Sequence, residues 1–163
     1  MVRRWARVVA SARGAIPEPD WGDEGPVRLF PGATIGAALV YFAVAFAAGF
    51  GLGAFREIVV VPRLGGLAAV AAEVPIMLAI SWIAAGALVR RFAVPPDLMS
   101  RLAMGGLAFA LLQAAELALA SAFGTSPGAH LASLATARGA LGFAAQVVFA
   151  LVPALLGRDA PRR

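Results

Sequence analysis

Apolar residues run through this chain in four long blocks that hold few charges and are separated by short polar stretches. The blocks are Ala33 to Phe55, Gly65 to Val89, Leu102 to Phe123, and about Gly139 to Leu156, the last entered at Arg138. About 20 helical residues cross a hydrocarbon core of about 30 Å, so each block is of spanning length. The runs lack the in/out alternation of a membrane barrel strand. Backbone polar groups in lipid must be satisfied within their own segment, which leaves continuous helices. The pattern predicts an all-α polytopic membrane protein, with four transmembrane helices in an up-down bundle over residues 33–157.

Ahead of the first block the pattern changes. Over residues 1–16, at 100° per residue, Trp5, Val8, Val9, Ala12 and Ile16 share one arc, and Arg3, Arg4, Arg7 and Ser11 lie opposite. This reads as an amphipathic basic helix for the interface of an anionic leaflet, or as a docking helix for a partner. The plainer alternative is a basic tail that only enforces orientation. Residues 17–32, with Pro17, Glu18, Pro19, Asp20, Asp23, Glu24 and Pro26, read as an acidic Pro/Gly linker. Because an acidic stretch precedes the first apolar block, that block reads as a retained helix rather than a signal peptide. Residues 158–163 form a basic tail.

Composition sharpens the class. Of 163 residues 61% are hydrophobic and 14% charged, with a mean hydropathy of +0.83. Soluble domains carry about 25% charged residues, so this chain is too poor in charge to cover a globular surface. The net charge of +5 would point to nucleic acid in a soluble protein; here the lipid bilayer explains it, and no nucleic-acid partner is expected. The absence of cysteine and the single histidine exclude disulfides, thiolate sites and a multi-histidine centre within one copy. No cofactor or metal site is expected. A phosphate-binding glycine loop, HExxH and GxSxG are absent, so no catalytic residue is assigned.

Every basic residue is an arginine, a bias that a GC-rich genome also produces. The N-terminal segment (Arg3, Arg4, Arg7, Arg13, Arg28), the loop after span two (Arg90, Arg91, Arg101) and the tail (Arg158, Arg162, Arg163) share one side of an even-spanning chain. Only Arg56, Arg63 and Arg138 fall on the other. The positive-inside rule places both termini in the cytoplasm. Arg3, Arg4, Arg7, Arg90, Arg91 and Arg101 are then candidates for lipid phosphates.

The candidate chemistry lies in polar residues within the blocks: Glu73 in span two, Gln113 and Glu116 in span three, and Gln146 in span four. At 1.5 Å per residue Glu73 and Gln146 sit roughly 12 Å, and Glu116 roughly 10 Å, from the same outer face. Gln113 is one turn from Glu116. Gly49, Gly51 and Gly53 of span one lie near that layer and would permit close helix approach. Above it Arg56, Glu57, Arg63, His130 and Arg138 form an outer mouth. Pro75 should loosen span two beside Glu73. A carboxylate at bilayer depth is expensive, so it needs a partner or a task. In the structural alternative Glu73 pairs with Arg56 or Arg63 and Glu116 with Arg138, the glutamines bridging helices. In the functional alternative one glutamate binds a proton, a cation or a polar headgroup. His130, after Ser126-Pro127-Gly128, reads as a solvated loop histidine. Tyr41 and the tryptophans read as interface anchors or helix packing.

Arg56-Glu57, Val61-Pro62-Arg63, Glu73-Val74-Pro75-Ile76-Met77-Leu78 and Ala108-Phe109-Ala110-Leu111-Leu112 through Glu116 resemble a group of small four-helix bacterial inner-membrane proteins. The resemblance covers roughly residues 33 to 157. It implies the bundle and a bacterial inner membrane, and it carries no activity. The expected function is that of a non-catalytic accessory or interaction subunit, packing with another membrane protein or with itself as a homodimer. The alternative is a small proton- or cation-handling transporter using Glu73 and Glu116. An enzyme acting on lipid ranks third.

Overall fold

The computed structural model describes residues 32–156. The expected interfacial helix over residues 1–16 with Arg3, Arg4 and Arg7, the linker up to residue 31, and the tail 158–163 lie outside the described residues. The elements are α1 (Gly32–Phe55), a π-helical turn (Arg56–Val60), α2 (Val61–Leu64), α3 (Gly66–Arg91), α4 (Leu98–Ala122), α5 (Pro127–Leu134) and α6 (Ala137–Leu155). There is no strand among the described residues.

Four helical stretches are long and apolar enough to cross a membrane: Gly32–Leu64, Gly66–Arg91, Leu98–Ala122 and Ala137–Leu155. Three match the expected spans to within a few residues. The first differs: it continues past Phe55 through the π-helical turn and α2, for 33 residues in all. At 1.5 Å per residue that is about 50 Å, well beyond a hydrocarbon core of about 30 Å. Arg56 and Glu57 are polar but break no helix. The stop comes at Gly65, whose φ of +77° suits glycine.

Each remaining helix end has a local cause. Asp97 caps α4 by accepting from the Ser100 N–H at 2.8 Å, and that bond holds its carboxyl below the usual carboxylate range. Ser126 caps α5 by accepting from Ala129 N–H, with Pro127 in its first turn. Thr136 caps α6 by accepting from Gly139 N–H. Helix α4 closes on Gly124 at φ +83°, with Thr125 N–H bonding back to the Ala120 carbonyl. Helix α3 closes in the same way, Val94 N–H bonding to the Val89 carbonyl. There the left-handed residue is Ala93, at φ +49°.

Helix α1 packs against α3 and α4, and α6 packs against the same two. Helices α1 and α6 therefore face each other across the middle rather than along a shared seam. The core there is built largely of small side chains (Ala37, Ala38, Ala45, Ala85 and Ala108) around Tyr41, Met104, Phe149 and Val152, and small residues let helix backbones come close. Gly105 is the extreme case: a Cβ there would overlap the carbonyl oxygen of Ala150 on α6. Large apolar side chains such as Ile58, Ile83 and Leu131 point outward, an apolar exterior that suits lipid.

Candidate functional site

A cavity of about 780 Å³ opens among the helices at the end where Arg56, Glu57, His130 and Arg138 lie. Its inner end is lined by Ala45, Ser81 and Phe149. Tyr41, fully buried, stacks on the Phe149 ring at 4.3 Å and donates from its hydroxyl to the Phe149 carbonyl at 3.0 Å. The sequence explains why that carbonyl is open. Pro153 lies inside α6 and has no N–H to return to the residue four earlier, which is Phe149. The sole tyrosine of the chain supplies the missing donor from the opposite helix.

Toward the mouth, charges alternate. Arg56 Nη1 meets Glu73 Oε2 at 2.7 Å and Nη2 meets Glu57 Oε1 at 3.3 Å. Glu57 Oε1 also accepts from Arg138 Nη2. Arg56 opens the π-helical turn, and its guanidinium joins the first helical stretch to Glu73 on α3. The Arg56 Nε is buried without a partner among the described residues. The structure thus pairs Glu73 with an arginine, as one of the two alternatives required.

Glu116 is arranged differently. Its Oε1 accepts from Gln146 Nε2 at 2.5 Å, which ties α4 to α6. Among the described residues no arginine lies within ion-pair distance of Glu116. The expected Glu116–Arg138 pair is not formed, because Arg138 is drawn to Glu57 instead.

Glu73, Glu116 and Gln146 all line this cavity, as do Arg56, Glu57, His130 and Arg138. Four further expectations are corrected. Gln113 does not line the cavity; its Oε1 is buried without a partner among the described residues. Arg63 is not at the mouth either: it is exposed and donates to the Val59 carbonyl of its own helical stretch. Arg101, a candidate for lipid phosphate, is only 7% exposed and donates from Nε to the Pro95 carbonyl at 2.9 Å, so it braces the turn between α3 and α4. His130 is half-buried on α5 rather than solvated in a loop. Arg90 and Arg91 are exposed at the end of α3.

The glycines of α1 also behave differently from expectation. A Cβ on Gly49 would meet only the Met77 side chain at 3.6 Å, and one on Gly51 would meet nothing within 4 Å. Gly49 and Gly53 line the cavity, so these glycines leave its volume open rather than closing a seam. Sequence reasoning also missed Ser81 and the phenylalanines of the wall. The Ser126-Pro127 cap and first-turn proline were the available signal for α5 and hence for His130.

Comparison of the chain with known families, curated proteins and solved structures finds no match. The resemblance drawn from the sequence therefore stands on its quoted residues alone. The described residues define a class: an all-helical chain whose four long apolar helices are those of a multi-pass membrane protein.

Proposed function

We propose that this chain is a non-catalytic protein of the bacterial inner membrane, an up-down bundle that handles a proton at Glu116. One observation carries the reading. Glu116 sits in a sizeable cavity with a glutamine as its partner, whereas Glu73 and Glu57 are engaged by arginines. A carboxylate kept at membrane depth without a counter-charge is a functional group by default. The arginine distribution in the sequence supports cytoplasmic termini, with Arg3, Arg4, Arg7, Arg90 and Arg91 at the phosphates of that leaflet. Four helices enclose little of a path, which supports a homodimer or a membrane-protein partner around the cavity.

The test is proton entry into liposomes carrying the purified protein, driven by a membrane potential and read with an internal pH dye. Flux should exceed that of empty liposomes and should be lost in Glu116→Gln. Equal flux in wild type and Glu116→Gln, or none above empty liposomes, overturns the reading. The second reading, an accessory subunit without transport, draws support from the alternating Glu73–Arg56–Glu57–Arg138 series, which leaves those four side chains mutually engaged.

A further inference from the structure

Taking the Glu116 cavity as the working site, we propose that its ligand is an amphiphilic organic monocation, its charged head at Glu116 and its apolar body along the phenylalanine wall. Volume is the first argument. Small-molecule sites span roughly 300–1,000 Å³, and this cavity of about 780 Å³ is far larger than a proton or a bare ion requires.

Charge is the second. The lining carries two arginines, Arg56 and Arg138, and three glutamates, Glu57, Glu73 and Glu116. Counting arginines and glutamates, the balance is one negative charge. The arginines are engaged by Glu57 and Glu73, so the surplus resides on Glu116. A charge away from water is stabilised by an opposite charge brought to it. An anion would have to take an arginine from its glutamate. A metal ion lacks a ligand set, because no group of three or more histidine, cysteine or acidic side chains that could hold one occurs among the described residues.

The wall is the third. Phe46, Phe50, Phe123, Phe143 and Phe149 line the cavity, offering apolar contact and ring faces that attract an organic cation. Phe50 and Phe123 are also 54% and 78% exposed, so the apolar wall continues to the outer surface. An amphiphile dissolved in the bilayer can follow it inward.

Tetraphenylphosphonium and tetraphenylborate have nearly the same shape and opposite charge, which makes them the probes. Equilibrium binding is measured on the full chain in nanodiscs of zwitterionic lipid. The cation should bind saturably, at least tenfold more tightly than the anion. Glu116→Gln should weaken the cation at least tenfold, about 1.4 kcal/mol, and leave the anion unchanged. Glu116→Asp keeps the charge and should retain most of the binding. If Glu116→Gln does not fold, the cation-to-anion ratio on wild type and the Glu116→Asp affinity decide. Equal affinity for the two probes, or for wild type and Glu116→Gln, overturns the inference. The proton-flux measurement separates the two failures. Flux that depends on Glu116 with no cation binding removes the amphiphile and keeps the proton; cation binding without flux removes transport and keeps the ligand site.

Discussion

Replacing Gly105 with alanine tests the closest approach in the fold. The added Cβ would overlap the Ala150 carbonyl oxygen and stand 2.8 Å from its carbonyl carbon and 3.4 Å from its Cα. Carbon atoms pack best at roughly 3.5–4.0 Å and the overlapped oxygen must retreat further still, so the α4–α6 seam must open by more than about 1 Å. The opposing atoms are backbone, and no rotamer change relieves the overlap. Overpacking of this kind costs about 1–3 kcal/mol. The neighbouring Gly106 is exposed and has nothing within 4 Å of a Cβ, so Gly106→Ala carries the same gain in helix propensity without the overlap. The stability difference between the two variants isolates the seam and should be about 1–3 kcal/mol, with Gly105→Ala the weaker. Unfolding by dodecyl sulfate in mixed micelles, followed by far-UV circular dichroism, measures it. Two variants equal to within about 0.5 kcal/mol would show that α4 and α6 do not meet backbone to backbone at Gly105.

Three other outcomes follow from the same geometry. Tyr41→Phe should cost about 1–2 kcal/mol in the same unfolding assay, because it leaves the Phe149 carbonyl unpaired; in a Pro153→Ala background, where a backbone N–H is restored, the cost should shrink. Glu73→Ala, which leaves the 22%-exposed Arg56 side chain with only its longer contact to Glu57, should lower stability by about 1 kcal/mol, and Glu73→Gln, which keeps an acceptor, by less. Reporter fusions at Arg163 and near Gly128 should give opposite signals, the former cytoplasmic; a periplasmic signal at Arg163 would refute the proposed topology.

Although the polar cap that starts it puts the beginning of α4 at Leu98, ahead of the expected Leu102, spans were legible in the sequence because length and hydropathy decide them. The π-helical turn at Arg56–Val60 was not, since nothing in Arg-Glu-Ile-Val-Val forbids an ordinary helix. Depth along a helix follows from residue count, so Glu73, Glu116 and Gln146 could be placed in one layer. Direction around the helix does not follow from that count. Gln113, only three residues from Glu116, consequently lies off the cavity, and Arg138 meets Glu57 rather than Glu116. The partnership of Tyr41 with Phe149 crosses 108 residues, and its sequence trace, a proline late in α6, reveals an open carbonyl without revealing its donor.

That bond bears on how the protein is assembled. Helices of a membrane chain enter the bilayer separately and dock afterwards. An undocked α6 carries a Phe149 carbonyl whose usual helical donor Pro153 lacks, and an unpaired carbonyl is unfavourable in hydrocarbon. Only the correctly rotated approach of α1 brings the Tyr41 hydroxyl to it. A mispaired or misrotated intermediate keeps the penalty and remains free to come apart. Proline and tyrosine together thus favour one docked rotation of α1 against α6.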